Sequence, residues 1–174
     1  MISTTNLSVQ FGKRVLFDEV NVTFKKGNCY GIIGANGSGK STFLHLLALL
    51  DKPTKGKISI LGKPTDNISE LEKDQIIREH ISIIFQNNNL LSDFTALENV
   101  AMPLLIRNKN FKFAVKKAER FLKEVNLGNR LNHFPSDLSG GEQQRVAIAR
   151  SLISETKVIL ADEPTGNLDF KNSQ

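Results

Sequence analysis

The chain has 174 residues, a length that fits one compact domain and leaves little room for several independent modules. Its 40% hydrophobic and 24% charged residues describe a globular protein with a sizeable core, and exclude disorder, collagen-like repeats and a disulfide scaffold. Lysine and arginine number 23 against 18 acids, and a net charge of +5 is too mild to point to nucleic acid; it reads as a solvated, lysine-rich surface.

The opening Met1 to Asn6 lacks the charged and apolar blocks of a secretory signal, and the single cysteine, Cys29, cannot form an intramolecular disulfide, so a reducing cytoplasm is expected. Val15-Leu16-Phe17 and Val20 to Phe24 are rich in β-branched and aromatic residues and read as strand, ended by the turn Lys25-Lys26-Gly27. Cys29 to Ile33 is a short, nearly all-apolar run, as expected of a strand buried on both faces of a parallel sheet. Thr42 to Leu50 reads as a buried helix, Pro53 to Gly56 as a turn and Lys57 to Leu61 as a further strand, an order that predicts α/β architecture. The longest apolar stretch, Phe43 to Leu50, is interrupted by His45 and falls far short of the roughly 20 residues that cross a bilayer. Any membrane role is therefore expected to need a partner chain.

Ile81 to Phe85 is a third candidate core strand, and beyond it the short apolar runs give way to helical periodicity. A subdomain boundary is placed there, with residues 1–86 and 155–174 as the core and 87–154 as a helical subdomain of a single domain. Over Ala114 to Asn126, Ala114, Val115, Ala118, Phe121, Leu122 and Val125 fall on one stripe, while Lys116, Lys117, Arg120 and Lys123 face away. Glu119 and Lys123 form a supportive pair on that outer face. A second helix is predicted from near Glu142 to about Ser154, followed by the apolar strand Val158 to Ala161. His45, His80 and His133 are scattered without ligand neighbours, so no zinc site is proposed.

Three segments carry chemistry. Gly34-Ala35-Asn36-Gly37-Ser38-Gly39-Lys40-Ser41-Thr42 matches the phosphate-binding loop, in which glycines let the backbone wrap phosphate oxygens, the following helix offers unpaired N–H groups, and Lys40 adds a full positive charge. Ser41 is the expected magnesium ligand, and a chance match in a chain of this length is below about one in a hundred. Val158 to Glu163 sets two carboxylates at the end of a buried strand, where ligands of open α/β sheets bind. Asp162 suits a magnesium contact, and Glu163 suits a general base acting on the water that attacks a γ-phosphate. Leu138 to Arg145 places Ser139, Gly140 and Gly141 at a helix start, which reads equally as a second anion site or as an ordinary capped helix.

Together these three motifs, in this order, resemble the ATPase subunits of ABC transporters over nearly the whole chain. The resemblance implies a P-loop NTPase (RecA-like) α/β core with an N-terminal antiparallel β subdomain and an inserted α-helical subdomain. It implies ATP and Mg2+ as ligands, and a homodimer in which Ser139, Gly140 and Gly141 of one subunit close over ATP held by the partner's phosphate loop. Phe11 falls where the family stacks an aromatic on adenine, although an ordinary strand-end core residue is an equal reading. Gln86 looks like the glutamine that reaches magnesium and senses the membrane partner, and Asp169 like the acid that signals between subunits.

Within the family, Asp93 to Ile106 looks like the lipoprotein-releasing branch, and Ala161 to Asp169 is similar to that branch and to its macrolide-export and cell-division relatives. This branch implies membrane permease partners, a peripheral site on the cytoplasmic face of the bacterial inner membrane and no nucleic acid partner. The segment 94–106 lies in the region that meets the membrane subunit in this family, and it also reads as an ordinary amphipathic helix. Gly27 to Gly37 is closer to the non-transport members that act on ribosomes; these normally hold two ATPase domains in one chain, and they rank second. A nucleotide-binding remnant without turnover is the third reading. The family also carries a switch histidine beyond the Glu163 counterpart, after one more core strand, whereas this chain ends at Gln174. The expectation is an incomplete domain that binds ATP with impaired hydrolysis.

Overall fold

A computed structural model describes residues 1–164. The chain divides into two compact units, residues 1–79 and residues from 80 onward.

The first unit is built on an antiparallel sheet. Strands β1 (Ile2–Phe11) and β2 (Arg14–Phe24) form a hairpin that sets Ile2 opposite Phe24 and Phe11 opposite Arg14. Strand β3 (Lys55–Ile60) pairs along the other edge of β1, and the short β4 (Lys63–Pro64) completes the order β2-β1-β3-β4. Ile2, Leu7, Val9, Ile58 and Ile60 are buried, the apolar residues expected of a half-covered antiparallel sheet. The β1–β3 register shifts between Thr5 and Ser8, and Gly56 lies against that irregularity. Its φ is +89°, and a Cβ there would run into the Asn6 carbonyl and lie 2.6 Å from the Leu7 Cα, so only glycine lets the strands approach.

Helix α1 (Lys40–Leu47) buries Phe43, Leu46 and Leu47. The Phe43 ring meets Phe17 edge-on at 5.6 Å and lies 6.4 Å from Phe24, which ties the helix to β2. Helix α2 (Glu70–His80) buries none of its residues, which explains why hydrophobic periodicity does not reveal it. Its start is instead fixed by Ser69, whose N–H and hydroxyl both donate to the Glu72 carboxylate.

The predicted strand at Cys29 to Ile33 is not formed. No strand pairs with it among the described residues, and Ile33 is 98% exposed. An apolar run becomes a buried strand only when a neighbour satisfies its backbone edges, and composition alone cannot supply that neighbour.

In the second unit, β5 (Ile81–Ile84) and β6 (Val158–Ala161) pair in parallel, in register from Ile81 opposite Val158 to Ile84 opposite Ala161. The crossover between them carries α3 (Ala96–Ile106), α4 (Phe111–Glu124) and α5 (Gly140–Leu152). Val100, Leu104, Ala118, Leu122, Val146 and Ile153 interlock in their shared core. The predicted α4 stripe is present, with Ala114, Ala118 and Leu122 fully buried and Lys123 paired with Glu119 at 2.6 Å on the outer face. Thr95 and Glu98 close a capping box on α3. Asn99, wholly buried, accepts from the Leu91 N–H and donates to the carbonyls of Leu91, Phe94 and Thr95, fixing the loop that enters the helix. The antiparallel sheet and the inserted helices match the expected fold class, and the parallel sheet is a two-stranded pair among the described residues.

Candidate functional site

The phosphate-loop segment runs as an exposed coil and turn from Gly34 into α1. Gly39, the N-cap residue, has φ 94°, and a Cβ on it would press against the Phe17 ring at 3.3 Å. This left-handed turn leaves the start of α1 with no side-chain cap, so its first N–H groups and its positive dipole end remain available to an anion. Lys40 folds over the loop and donates to the Gly34 and Ala35 carbonyls at 2.9 and 3.1 Å. Its ammonium is thereby held over the turn in which Ser38 N–H bonds back to Ala35. Asn36 and Gly37 occupy the tip of that turn, and Ser41 and Thr42 are half-buried in the first turn of α1.

Arg14, which the sequence reading does not single out, donates to the Gly37 carbonyl at 3.1 Å. Its strand partner Phe11 is 63% exposed at the hairpin end, so the core reading of that ring is not what the structure shows. The hairpin end and the phosphate loop are thus connected through Arg14.

The second group of residues follows from the β5–β6 register. Since Ile84 faces Ala161 and Asp162 N–H donates to the Ile84 carbonyl at 2.9 Å, the residues leaving the two strands emerge side by side. Gln86 Nε2 donates to Glu163 Oε2 at 3.2 Å. Glu163 has φ 49°, an unfavourable backbone region for a side chain of this kind, of the sort concentrated at functional sites. Asp162 is half-buried beside it.

At the start of α5, Ser139 is the N-cap. Its hydroxyl accepts from the Glu142 N–H, and the Glu142 carboxylate accepts from the Ser139 N–H at 2.9 Å. Arg130 Nε also donates to Glu142 at 3.0 Å. The Ser139 N–H and then Arg130 hold this carboxyl below its ordinary range. The capped-helix reading is therefore realised, and it leaves room for the other one. Gly140 is exposed, and a Cβ on it would meet nothing within 4 Å among the described residues, so none of them explains a glycine there.

Further side chains of this unit hold the loops, and the sequence reading passes over them. Gln144 is 0% exposed and donates to the Pro164 carbonyl at 3.1 Å. Arg150 donates to the Asn88 and Asn89 carbonyls, each at 2.7 Å. Gln144 shares a helical stripe with the buried Ala147 and Ser151, and that spacing is the signal that marks it as buried.

Ser41 in the first unit, and Gln86 and Asp162 in the second, each carry a hard oxygen of the kind magnesium takes, and no group of three His, Cys, Asp or Glu residues among the described residues could form an all-protein cage. Magnesium characteristically takes one or two carboxylates and completes its shell with water and substrate phosphate. Asp169 lies outside the described residues, as do Gly166, Asn167 and Leu168. No described helix is long and apolar enough to cross a membrane.

Comparison with known proteins gives a consistent picture. Residues 17–166 match the family model described as ABC transporter. The chain is 52% identical over 161 residues to the lipoprotein-releasing system ATP-binding protein LolD of Rickettsia conorii, covering 92% of this chain and 70% of that protein. It is 48% identical over 162 residues to LolD of Wigglesworthia glossinidia brevipalpis, covering 93% and 71%. Among solved structures, it superposes with a TM-score of 0.93 and 40% identity on a dimeric structure of MJ0796, described as a bacterial ABC transporter cassette, covering 99% of this chain and 78% of that one. A dimeric post-hydrolysis form of MJ0796 bound to ADP and Pi gives a TM-score of 0.92 at 39% identity, with the same coverage.

Proposed function

The chain belongs to the ABC transporter family, and on that premise we propose that it is the ATP-binding subunit of a lipoprotein-releasing transporter. The 52% identity to LolD of Rickettsia conorii supports the transporter part of this reading. The phosphate loop carries the ATP-binding part: a left-handed Gly39 opens the N-terminus of α1, and Lys40 is held across the turn. Gly34, Ala35, Asn36, Gly37, Ser38, Gly39, Lys40, Ser41 and Thr42 would bind the phosphates through backbone N–H groups, the Lys40 ammonium and the two hydroxyls. Phe11 would stack on adenine, its exposed ring being free to do so. Ser41, Asp162 and Gln86 would hold Mg2+, which when bound neutralises charge on the phosphates.

Glu163 is assigned as the general base that accepts a proton from the attacking water, and Gln86 steadies its carboxylate through the Nε2 to Oε2 bond. Ser139, Gly140 and Gly141 would close over ATP held by a second copy of the chain. The open space around Gly140 supports that role, since backbone without a side chain admits a phosphate closely. Residues 1–86 and 155–174 are assigned to the nucleotide-binding core and 87–154 to the helical subdomain. Permease subunits would hold the assembly at the cytoplasmic face of an inner membrane.

Titration of the purified chain with Mg2+ and a fluorescent ATP analogue tests nucleotide binding, which Lys40→Ala should weaken by about 10- to 100-fold. Detergent extraction from cells tests the transport role. Recovery with a pair of membrane permease subunits supports it, whereas sedimentation with ribosomes and no permease would sink it.

A further inference from the structure

Helix α5 reaches both loops that carry the proposed hydrolytic pair. Toward its N-terminal end, buried Gln144 donates to the carbonyl of Pro164, the residue after Glu163. Near its C-terminal end, Arg150 donates through both terminal nitrogens to the carbonyls of Asn88 and Asn89, a short step past Gln86. The two anchors are six residues apart, about 9 Å along the helix axis. Asn89 has φ 46°, and its carbonyl and that of Asn88 both accept from the one guanidinium fork of Arg150. Burial lowers the pKa of Arg150 from its ordinary value, yet an arginine so far above neutrality keeps its charge, so its bonds remain charge-assisted.

We infer that Gln144 and Arg150 are positioning residues which hold the backbone beside Glu163 and Gln86 to one rigid helix, so that a displacement of α5 alters the Gln86–Glu163 contact. The helix whose N-terminus carries Ser139-Gly140-Gly141 then reports its own position to the hydrolytic pair of the same subunit. This inference rests on the proposed function only for what Gln86 and Glu163 do; the mechanical link stands on the hydrogen bonds. Arg150 touches no reacting atom and acts through the loop after β5. Gln144 does the same through the turn after β6. Among the described residues the buried Gln144 Oε1 atom has no hydrogen-bond partner, a cost tolerated when the amide's other end has a fixed task.

The test is the side-chain amide resonance of Gln86 in the full chain, assigned by its loss in Gln86→Ala. Arg150→Lys keeps the charge but loses the fork, and Gln144→Leu keeps the approximate volume but loses the donor. In both variants the Gln86 amide should move to the position it takes in Glu163→Ala, while the methyl resonances of Leu104 and Leu122 report an intact helical core. Phosphate release should slow by about tenfold or more as hydrogen bonds to the loops are lost, with ATP affinity kept within about twofold. An unmoved Gln86 amide in both folded variants would overturn the inference. So would rapid rotation and solvent exchange of the Arg150 terminal nitrogens in the unsubstituted chain, a measurement that needs no variant. ATP titration of the unsubstituted chain reads the proposed function separately: failure to bind ATP removes that reading, while the Gln86 amide still reports whether α5 controls the contact.

Discussion

The Gln86 amide donates to the Glu163 carboxylate at 3.2 Å although the two residues are 77 positions apart in the chain. The β5–β6 register produces this meeting, because parallel strands paired at Ile84 and Ala161 release their next residues at the same end. If Glu163 is the base, Glu163→Gln should keep ATP affinity within about twofold and slow phosphate release by roughly 10²-fold or more. Glu163→Gly should also lose turnover, yet gain up to about 1 kcal/mol of stability by relieving the left-handed φ of 49°. Paired urea titrations and phosphate-release assays separate the two effects. Equal and measurable turnover in Glu163→Gln and the unsubstituted chain would remove Glu163 from the mechanism.

Lys40 and Gly39 are adjacent and should fail in opposite ways. Both Lys40 bonds are exposed and lie within the loop, so Lys40→Ala should change folding stability by less than about 0.5 kcal/mol. It should weaken ATP binding by about 10- to 100-fold through the lost charge-assisted contact. Gly39→Ala places a side chain at φ 94° and against the Phe17 ring at 3.3 Å, which should destabilise the chain by about 1–2 kcal/mol or more. Calorimetric ATP titration and urea unfolding of both variants check this pairing.

Most of the helical subdomain was legible because its signals are local. The α4 stripe and the Ser139 start of α5 repeat or terminate within one or two turns, and each appears where the sequence places it. Cys29 to Ile33 fails because a buried strand is a statement about neighbours, and apolar composition says nothing of which strand lies beside it. Helix α2 fails for the opposite reason, since a helix without a buried face leaves no periodic mark. Within the candidate site, motif spacing identifies the phosphate loop and the acidic pair. Arg14, Gln144 and Arg150 act on backbone carbonyls far away in sequence, and such contacts leave no trace in the residue types of the acceptors.

Acid should loosen the starts of α3 and α5. Glu98 is held below the ordinary carboxyl range first by the Thr95 hydroxyl and then by the Thr95 N–H. Glu142 is lowered first by the Ser139 N–H and then by Arg130. A carboxyl with a depressed folded-state pKa contributes stability that is present above its unfolded value, about 4.3, and is lost as pH falls through the folded value. Glu142→Gln can still accept from Ser139 through its amide oxygen, but it cannot titrate. The fall in urea midpoint between about pH 6 and pH 3 should therefore be smaller in Glu142→Gln than in the unsubstituted chain. An equal fall in both would show that this carboxyl does not couple folding to pH.

Phe11 offers a way to separate recognition of the base from recognition of the phosphates. Its ring is 63% exposed at the end of β1, so Phe11→Ala removes little core packing and should leave the unfolding midpoint nearly unchanged. Loss of base stacking should weaken ATP binding by about tenfold, near the lower end of the range for aromatic–base contacts. Phe11→Tyr and Phe11→Trp should restore it, since each presents an aromatic face. Inorganic triphosphate has no base to stack, so its affinity should be the same with or without the Phe11 ring, while Lys40→Ala should weaken both ligands. If Phe11→Ala weakens triphosphate as much as ATP, the ring acts by supporting the hairpin end from which Arg14 holds the Gly37 carbonyl, and the stacking assignment is wrong.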